Sequence, residues 1–244
     1  MTAGTIMHKT HLPLRVWFWA AYLVATHHPG ISAKQLQRQL GLSRYETAWL
    51  ILQKLRRAMI APERDALHTE VEVDECWIGG FDPGKKGHGV GDKTLVAVAI
   101  EVRGHGSGRL RLAALPDASG RTLRAFVAAT VTPGAIVHTD GWSGYNKLAT
   151  HGYEHRPRSQ RSARRADHDD DPILPRAHRA ISNLKTWLHG THRGVSPEHL
   201  PVYLDEYVFR HNRRNTPMAA FQTLLGLSTR HHPSTYTQIT THAA

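Results

Sequence analysis

The chain has 244 residues, of which 40% are hydrophobic and 21% are charged, so it can form a folded core and does not have the composition of a disordered chain. Lys and Arg total 31 against 20 for Asp and Glu, and the net charge of +11 indicates a polyanionic partner, with nucleic acid as the leading candidate. A single cysteine, Cys76, excludes an internal disulfide and a cysteine-based zinc site, and the absence of any run of about 18 apolar residues excludes a membrane-spanning helix.

Residues 1–62 predict a small helical DNA-binding region. Leu14–Thr26 is apolar enough for a buried helix, and Ser32 begins a second helix that ends at Gly41. A third helix is predicted over Arg44–Met59, and two helices joined by a short turn that contains Gly match the helix-turn-helix pattern. The side chains predicted to face DNA are Arg44, Tyr45, Lys54, Arg56 and Arg57. The alternative is an ordinary helical hairpin with a solvated basic face.

Residues 63–227 predict a domain that begins with strands. The predicted elements are strands at Val71–Gly80, Thr94–Arg103 and Arg109–Leu115, a helix at Ser119–Val131, and a short strand at Ala135–Asp140. A Gly-rich loop follows the first strand, and its Lys85 and Lys86 predict a basic hairpin tip near a nucleic-acid backbone.

The second half of this domain predicts a charged loop and then helices. Residues 155–171 hold five arginines and then four aspartates, which predicts a mobile loop whose Arg161 and Arg164 contact phosphates and whose acidic run is solvated. Helices are predicted over Arg176–Leu188, from Pro197 onward, and over 217–227, before a disordered tail at 228–244. The helix from Pro197 ends in a basic run with three further candidate phosphate contacts, Arg210, Arg213 and Arg214.

Asp74 is an unusual residue for its position. It lies in the alternating sequence of the first strand, and Asp is depleted in strand interiors. One explanation is a metal ion, because a rigid strand holds an oxygen ligand well. The alternative is an edge strand whose acidic side chains face water.

The order of three strands, a helix, a strand and then helices is that of a ribonuclease-H-like mixed sheet with flanking helices, here preceded by the small helical region. In that arrangement the first and fourth strands are neighbours, so Asp74 and Asp140, which ends the fourth strand, are predicted to lie side by side. Two divalent ions about 3.5–4 Å apart can hold the attacking and leaving oxygens of a phosphodiester displacement. Paired Asp side chains provide the hard oxygen ligands that Mg²⁺ prefers.

Three segments carry a family resemblance: VEVDECWIGG, HTDGWSGY, and HRAISNLKTWLHGTHRGVSPEHLPVYLDEYVFRHNRR. Together with the N-terminal helices they resemble the ISXO-like insertion-sequence transposases of the DDE superfamily, over residues 4–225. The resemblance implies a DNA transposase that hydrolyses phosphodiester bonds at transposon ends and transfers the strand to target DNA, with two Mg²⁺ or Mn²⁺ ions.

The resemblance also implies a third member of the metal cluster. The wider superfamily has Glu there, with a basic residue seven positions later on the same helix. Counting back seven from Lys185 gives His178, so the implied catalytic set is Asp74, Asp140, His178 and Lys185. An imidazole ligand favours Mn²⁺ over Mg²⁺. Asn183 and Glu206 are the rival third positions.

The implied partners are the terminal inverted repeats and the target DNA, bound by a homodimer or a higher assembly in the bacterial cytoplasm, associated with the nucleoid. Members of the group often begin with a zinc ribbon, and this chain is expected to lack one because it has a single cysteine. Two other functions remain open, a catalytically inactive DNA-binding regulator of the same element and a basic structural nucleic-acid protein.

Overall fold

A computed structural model describes residues 2–61, 64–79, 93–158 and 173–240. The chain divides into two compact units. The helical unit comprises Met1–Arg64, Trp187–Arg193 and Glu198–Ala244, and the sheet unit comprises Asp65–Thr186 and Gly194–Pro197. Within the described ranges, no helix is long and apolar enough to cross a membrane.

The helices are, in chain order, α1 (Leu14–Thr26), α2 (Ala33–Gln39), α3 (Tyr45–Ala58), α4 (Gly120–Thr130), α5 (Pro175–His192), α6 (Leu200–Asn212), α7 (Pro217–Arg230) and α8 (Tyr236–Thr240). The strands are β1 (Glu70–Gly79), β2 (Lys93–Arg103), β3 (Gly106–Leu115), β4 (Ile136–Asp140) and β5 (Glu154–Arg158). Short 3-10 helices lie at Ser143–Tyr145 and Ala149–His151.

The helical unit is built around an apolar core that joins the first and last helices of the chain. Trp17 of α1 and Leu52 of α3 pack in one cluster with Phe209 and Leu224, which come from α6 and α7. Ser32 caps α2 by accepting the N–H of Gln35. The C-terminal helices therefore complete this core, instead of belonging to the domain predicted over 63–227.

The described residues of the sheet unit form a mixed sheet of five strands in the order β3-β2-β1-β4-β5. β1 pairs antiparallel with β2, which pairs antiparallel with β3, whereas β1, β4 and β5 run parallel. Val71 and Val73 of β1 pack against Leu123 and Val127 of α4 on one face. This is the ribonuclease-H-like arrangement that the sequence predicts. β1 is the central strand, which excludes the alternative that Asp74 lies on an edge strand.

The predicted elements are recovered with shifted ends, and α1 has the bounds that the sequence predicts. The predicted loop at 155–171 differs, because Glu154–Arg158 form the edge strand β5. This strand has no local sequence signal, because EHRPR does not alternate and contains Pro157, which only an edge strand or a bulge tolerates. The predicted disordered tail also differs, because α7 continues to Arg230 and α8 buries Ile239.

Four predicted DNA contacts lie outside the described residues: Lys85, Lys86, Arg161 and Arg164.

Candidate active site

The register of the central strands sets Asp74 beside Asp140. Glu72 of β1 pairs in parallel with His138 of β4, and two further residues along each strand lead to Asp74 and Asp140. Burial raises the pKa of Asp74, while the backbone N–H of Glu75 and the charge of His178 lower it and the charge of Asp140 raises it again. The two carboxylates therefore interact electrostatically, as paired metal ligands do.

Backbone N–H groups hold one oxygen of each carboxylate. Asp74 Oδ1 accepts the N–H of Glu75 at 2.9 Å, and Asp140 Oδ1 accepts the N–H of Trp142 at 2.9 Å. These bonds fix the direction of both carboxylates before anything binds to them. The indole of Trp142 is 49% exposed, so an aromatic surface lies two residues from Asp140.

His178 lies against the same carboxylate. Its Nε2 is 3.4 Å from Asp74 Oδ2, and its side chain is 56% exposed. His178 is in the first part of α5, and Lys185 lies seven residues later, only about 20° away around the helix. The charge of Lys185 acts on Cys76, but burial outweighs it and raises the pKa of this thiol to about 11. The structure thus brings together Asp74, Asp140 and His178, with Lys185 on the same helix face.

A second acidic residue, which the sequence analysis did not single out, lies next to Asp74. Glu75 Oε2 accepts the hydroxyl of Tyr145 at 2.5 Å, and this bond joins β1 to the segment that follows β4. Burial raises the pKa of both Glu75 and Tyr145. Both residues lie within the motifs that carry the family resemblance, but they are 70 positions apart, so only the fold reveals the pair.

Asp74, Asp140 and His178 could supply part of the coordination shell of a divalent cation, with the remaining ligands coming from water or substrate. Among the residues that the structure describes, no group of three or more His, Cys, Asp or Glu side chains is arranged to hold an ion. Mg²⁺ commonly uses one or two carboxylates and completes its shell with water and substrate phosphates. The 3.4 Å between Asp74 Oδ2 and His178 Nε2 is close to the roughly 3 Å that separates neighbouring ligands of an octahedral ion.

Glu206 and Asn183, the two alternatives to His178 as the third metal ligand, have different surroundings. Glu206 is completely buried in the helical unit, where Arg56 Nε donates to it at 2.6 Å. Asn183 is exposed on α5, about 140° around the helix from His178. Glu206 therefore has a structural partner, and Asn183 does not share the face of α5 that carries His178 and Lys185.

The five predicted DNA contacts on and just before α3 differ in their exposure to solvent. Arg44 and Tyr45 are exposed at the start of the helix, whereas Lys54 and Arg57 are half-buried. Arg56 is 1% exposed, and its guanidinium is paired with Glu206 and stacked 3.8 Å from the Tyr203 ring centroid. This contradicts the prediction that Arg56 contacts DNA, because α3 turns this side chain into the core of the helical unit.

The three arginines predicted as phosphate contacts at the end of α6 also differ in their exposure and in their partners. Arg210 Nη2 donates to the backbone carbonyls of His27 and His28, at 2.5 and 2.6 Å, so its role is to close the turn after α1. The guanidinium of Arg213 lies 4.3 Å from the Phe209 ring centroid. Arg214 is exposed and donates to the carbonyl of His211. Arg214 is thus the member of the run that is best placed to meet a ligand.

The strand order and the parallel pairing of β1 with β4 give the sheet unit a ribonuclease-H-like fold. Residues 66–212, more than half of the chain, match the ISXO2-like transposase domain, and the chain therefore belongs to this family of DDE transposases.

No curated protein matches the chain. Among solved structures, the chain is similar to a pre-cleavage Mos1 transpososome, with 15% identity, coverage of 82% of this chain and 75% of that chain, and a TM-score of 0.31. It is also similar to the Mos1 mariner paired end complex with Mn, with 15% identity, the same coverages and a TM-score of 0.25.

Proposed function

We propose that this chain is the transposase of a bacterial insertion sequence, which hydrolyses a phosphodiester bond at each end of its element. The freed 3′-hydroxyl then attacks a phosphodiester of target DNA, so that the element's 3′ end is joined to the target phosphate and the target's own 3′ oxygen leaves. The observation that carries the proposal is the convergence of Asp74, Asp140 and His178 at the centre of the sheet, in a chain of the ISXO2-like family. A cytoplasmic, nucleoid-associated location follows from this function.

Each residue has a separate role in the proposed reaction. Asp74 and Asp140 hold the metal ions through their carboxylates, and His178 occupies the third position beside Asp74. When bound, two ions of Mg²⁺ or Mn²⁺ activate the attacking water and stabilise the leaving oxygen. Lys185 binds a DNA phosphate as a point charge, two helical turns from His178.

The proposed partners are the terminal inverted repeats and target DNA. The net charge of +11 supports a polyanionic ligand, and the exposed Arg44 and Tyr45 begin the second helix of the proposed helix-turn-helix. Lys85, Lys86, Arg161, Arg164 and Arg214 are proposed as additional phosphate contacts. Pairing of two transposon ends requires at least a homodimer on DNA.

The experiment is cleavage and joining of a duplex that carries the element's own terminal repeat, with Mg²⁺ or Mn²⁺. We expect Asp74→Asn and Asp140→Asn to lower the cleavage rate by about 10³-fold, because each change removes several kcal/mol of metal-dependent stabilisation of the transition state. His178→Ala is expected to lower it as well, and more strongly in Mg²⁺ than in Mn²⁺ if the imidazole is a ligand.

The matched control is Asp65→Asn, because Asp65 is in the same unit but its side chain is 90% exposed. This variant should cleave like the wild type, and all four variants should still bind the repeat. If the wild type binds the repeat but does not cleave it with either ion, the proposal is wrong, and a DNA-binding regulator becomes the better description.

A further inference from the structure

The first half of α5 lies along one face of β1. Glu72, Asp74 and Cys76 are alternate residues of the strand, so their side chains point to the same side of the sheet. Glu72 contacts Arg176 and Ala177, and Asp74 contacts His178. Further along the strand, Cys76 lies within the electrostatic influence of Lys185. β1 and α5 therefore contact each other at the proposed catalytic residues Asp74 and His178. They also meet at Glu72, which precedes Asp74 on the strand and contacts the start of α5.

That preceding contact is a buried carboxylate at the start of the helix. Glu72 Oε2 accepts the backbone N–H groups of Arg176 and Ala177, at 2.7 and 2.8 Å. Glu72 Oε1 is 2.9 Å from Arg176 Nη1. The same guanidinium donates to the carbonyls of Gly104 and Gly106, in and just after the turn between β2 and β3. Both oxygens of Glu72 are thus held by charge-assisted hydrogen bonds.

These bonds fix the rotation of α5 as well as its position. Two consecutive backbone N–H groups that converge on one oxygen allow the first turn only one orientation relative to β1. His178 directly follows Ala177, and each residue of a helix adds about 100° of rotation. A small rotation of the first turn would therefore move the imidazole away from Asp74.

We propose that Glu72 is a positioning residue, which anchors the first turn of α5 so that His178 lies against Asp74. The inference rests on the proposed catalytic role of Asp74 and His178. Glu72 does not itself touch DNA or metal in this scheme, because its two oxygens are engaged by α5 and Arg176.

The test is Glu72→Gln, which keeps the size of the side chain and replaces one acceptor oxygen with a donor that faces the Arg176 guanidinium. Amide hydrogen exchange measures the anchor directly, and we expect exchange at Arg176 and Ala177 to become roughly tenfold faster. Cleavage of the terminal repeat by the folded variant should fall by about tenfold or more, with binding of the repeat unchanged.

The matched control is Glu101→Gln. Glu101 is another buried glutamate of the same sheet with an arginine partner, but it pairs with Arg109 and not with α5. A general loss of stability would affect both variants. Loss of the anchor, by contrast, should affect Glu72→Gln alone. In this variant, cleavage per folded molecule should fall, and amide exchange in the first turn of α5 should become faster.

If folded Glu72→Gln cleaves the terminal repeat like the wild type, the inference is wrong. It is also wrong if Glu101→Gln loses as much cleavage per folded molecule as Glu72→Gln does. The proposed function fails separately, if Asp74→Asn retains full cleavage. If Glu72→Gln does not fold, Arg176→Ala replaces it, because it removes the guanidinium and keeps both backbone bonds to Glu72. It should show the same changes to a smaller degree, and wild-type exchange and cleavage in this variant would overturn the inference.

Discussion

The acidic residues of the sheet unit differ in their partners. Glu101 accepts the Arg109 side chain at 2.6 and 3.0 Å, and it also accepts backbone N–H groups of Arg109 and His68. Burial disfavours its charged form, but these hydrogen bonds outweigh burial and lower the pKa of Glu101 to about 2. Burial instead raises the pKa of Asp74 and Glu75. The paired glutamate stabilises the fold, whereas burial disfavours the charged forms of Asp74 and Glu75.

The pairing of Glu101 predicts a dependence of stability on pH. The folded-state pKa of about 2 is below the ordinary value of 4.5, so its contribution is complete above pH 4.5 and is lost as the pH falls towards 2. Urea unfolding at several pH values should show that the wild type exceeds Glu101→Gln by about 3 kcal/mol at pH 7. This difference should shrink between pH 4.5 and 2, and a difference that stays constant would contradict the assignment.

At the scale of the elements, each unit contains a buried glutamate–arginine pair between distant segments. Glu72 joins β1 to α5 in the sheet unit, and Glu206 joins α6 to α3 in the helical unit. Arg56 and Glu206 are 150 residues apart, and both are essentially inaccessible to solvent. Arg56 depends on Glu206 for compensation of its buried charge, whereas Glu206 Oε1 also lies 3.8 Å from Arg210 Nη1.

This dependence predicts that Glu206→Ala destabilises the protein by about 3–5 kcal/mol, since Arg56 remains buried without its partner. Urea unfolding followed by circular dichroism measures the loss. The double variant Arg56→Met with Glu206→Leu removes both charges and should recover most of it. A single variant with less than about 1 kcal/mol of destabilisation would show that Arg56 reaches water.

For the molecule as a whole, the excess of basic residues determines how strongly the proposed binding to DNA depends on salt. The net charge is +11, although Arg56 and Arg210 are occupied within the helical unit. Lys185 and Arg214 are exposed and are two of the phosphate contacts that we propose. Because phosphate contacts release counterions, such binding weakens steeply with salt and is largely independent of sequence.

We therefore expect affinity for the terminal repeat to fall by about 10³-fold between 50 and 200 mM salt, as for a protein with about six phosphate contacts. Lys185→Ala should reduce the slope of log K against log salt by about 0.9. Arg121→Ala removes an exposed charge from α4, on the opposite face of the sheet, and should leave the slope unchanged. Titrations by fluorescence anisotropy give both slopes. Binding that does not depend on salt would contradict this account.

The order of the elements, the ribonuclease-H-like fold and the family can all be predicted from the amino-acid sequence. Alternating strands, capped helices and long motifs are local signals, and from them Asp74, Asp140, His178 and Lys185 are proposed as the catalytic residues. The sequence does not reveal β5, whose residues lack alternation. It also does not reveal that the side chains of Arg56 and Arg210 point into the helical unit.

The contacts between distant residues are visible only in the folded chain. Glu72 with the start of α5, Glu75 with Tyr145, and Arg56 with Glu206 are separated by 70 to 150 positions. No local pattern records such pairs. The identity of a residue fixes which bonds it can make, but the partner is chosen by strand register and helix packing, which arise when the whole chain buries its apolar surface.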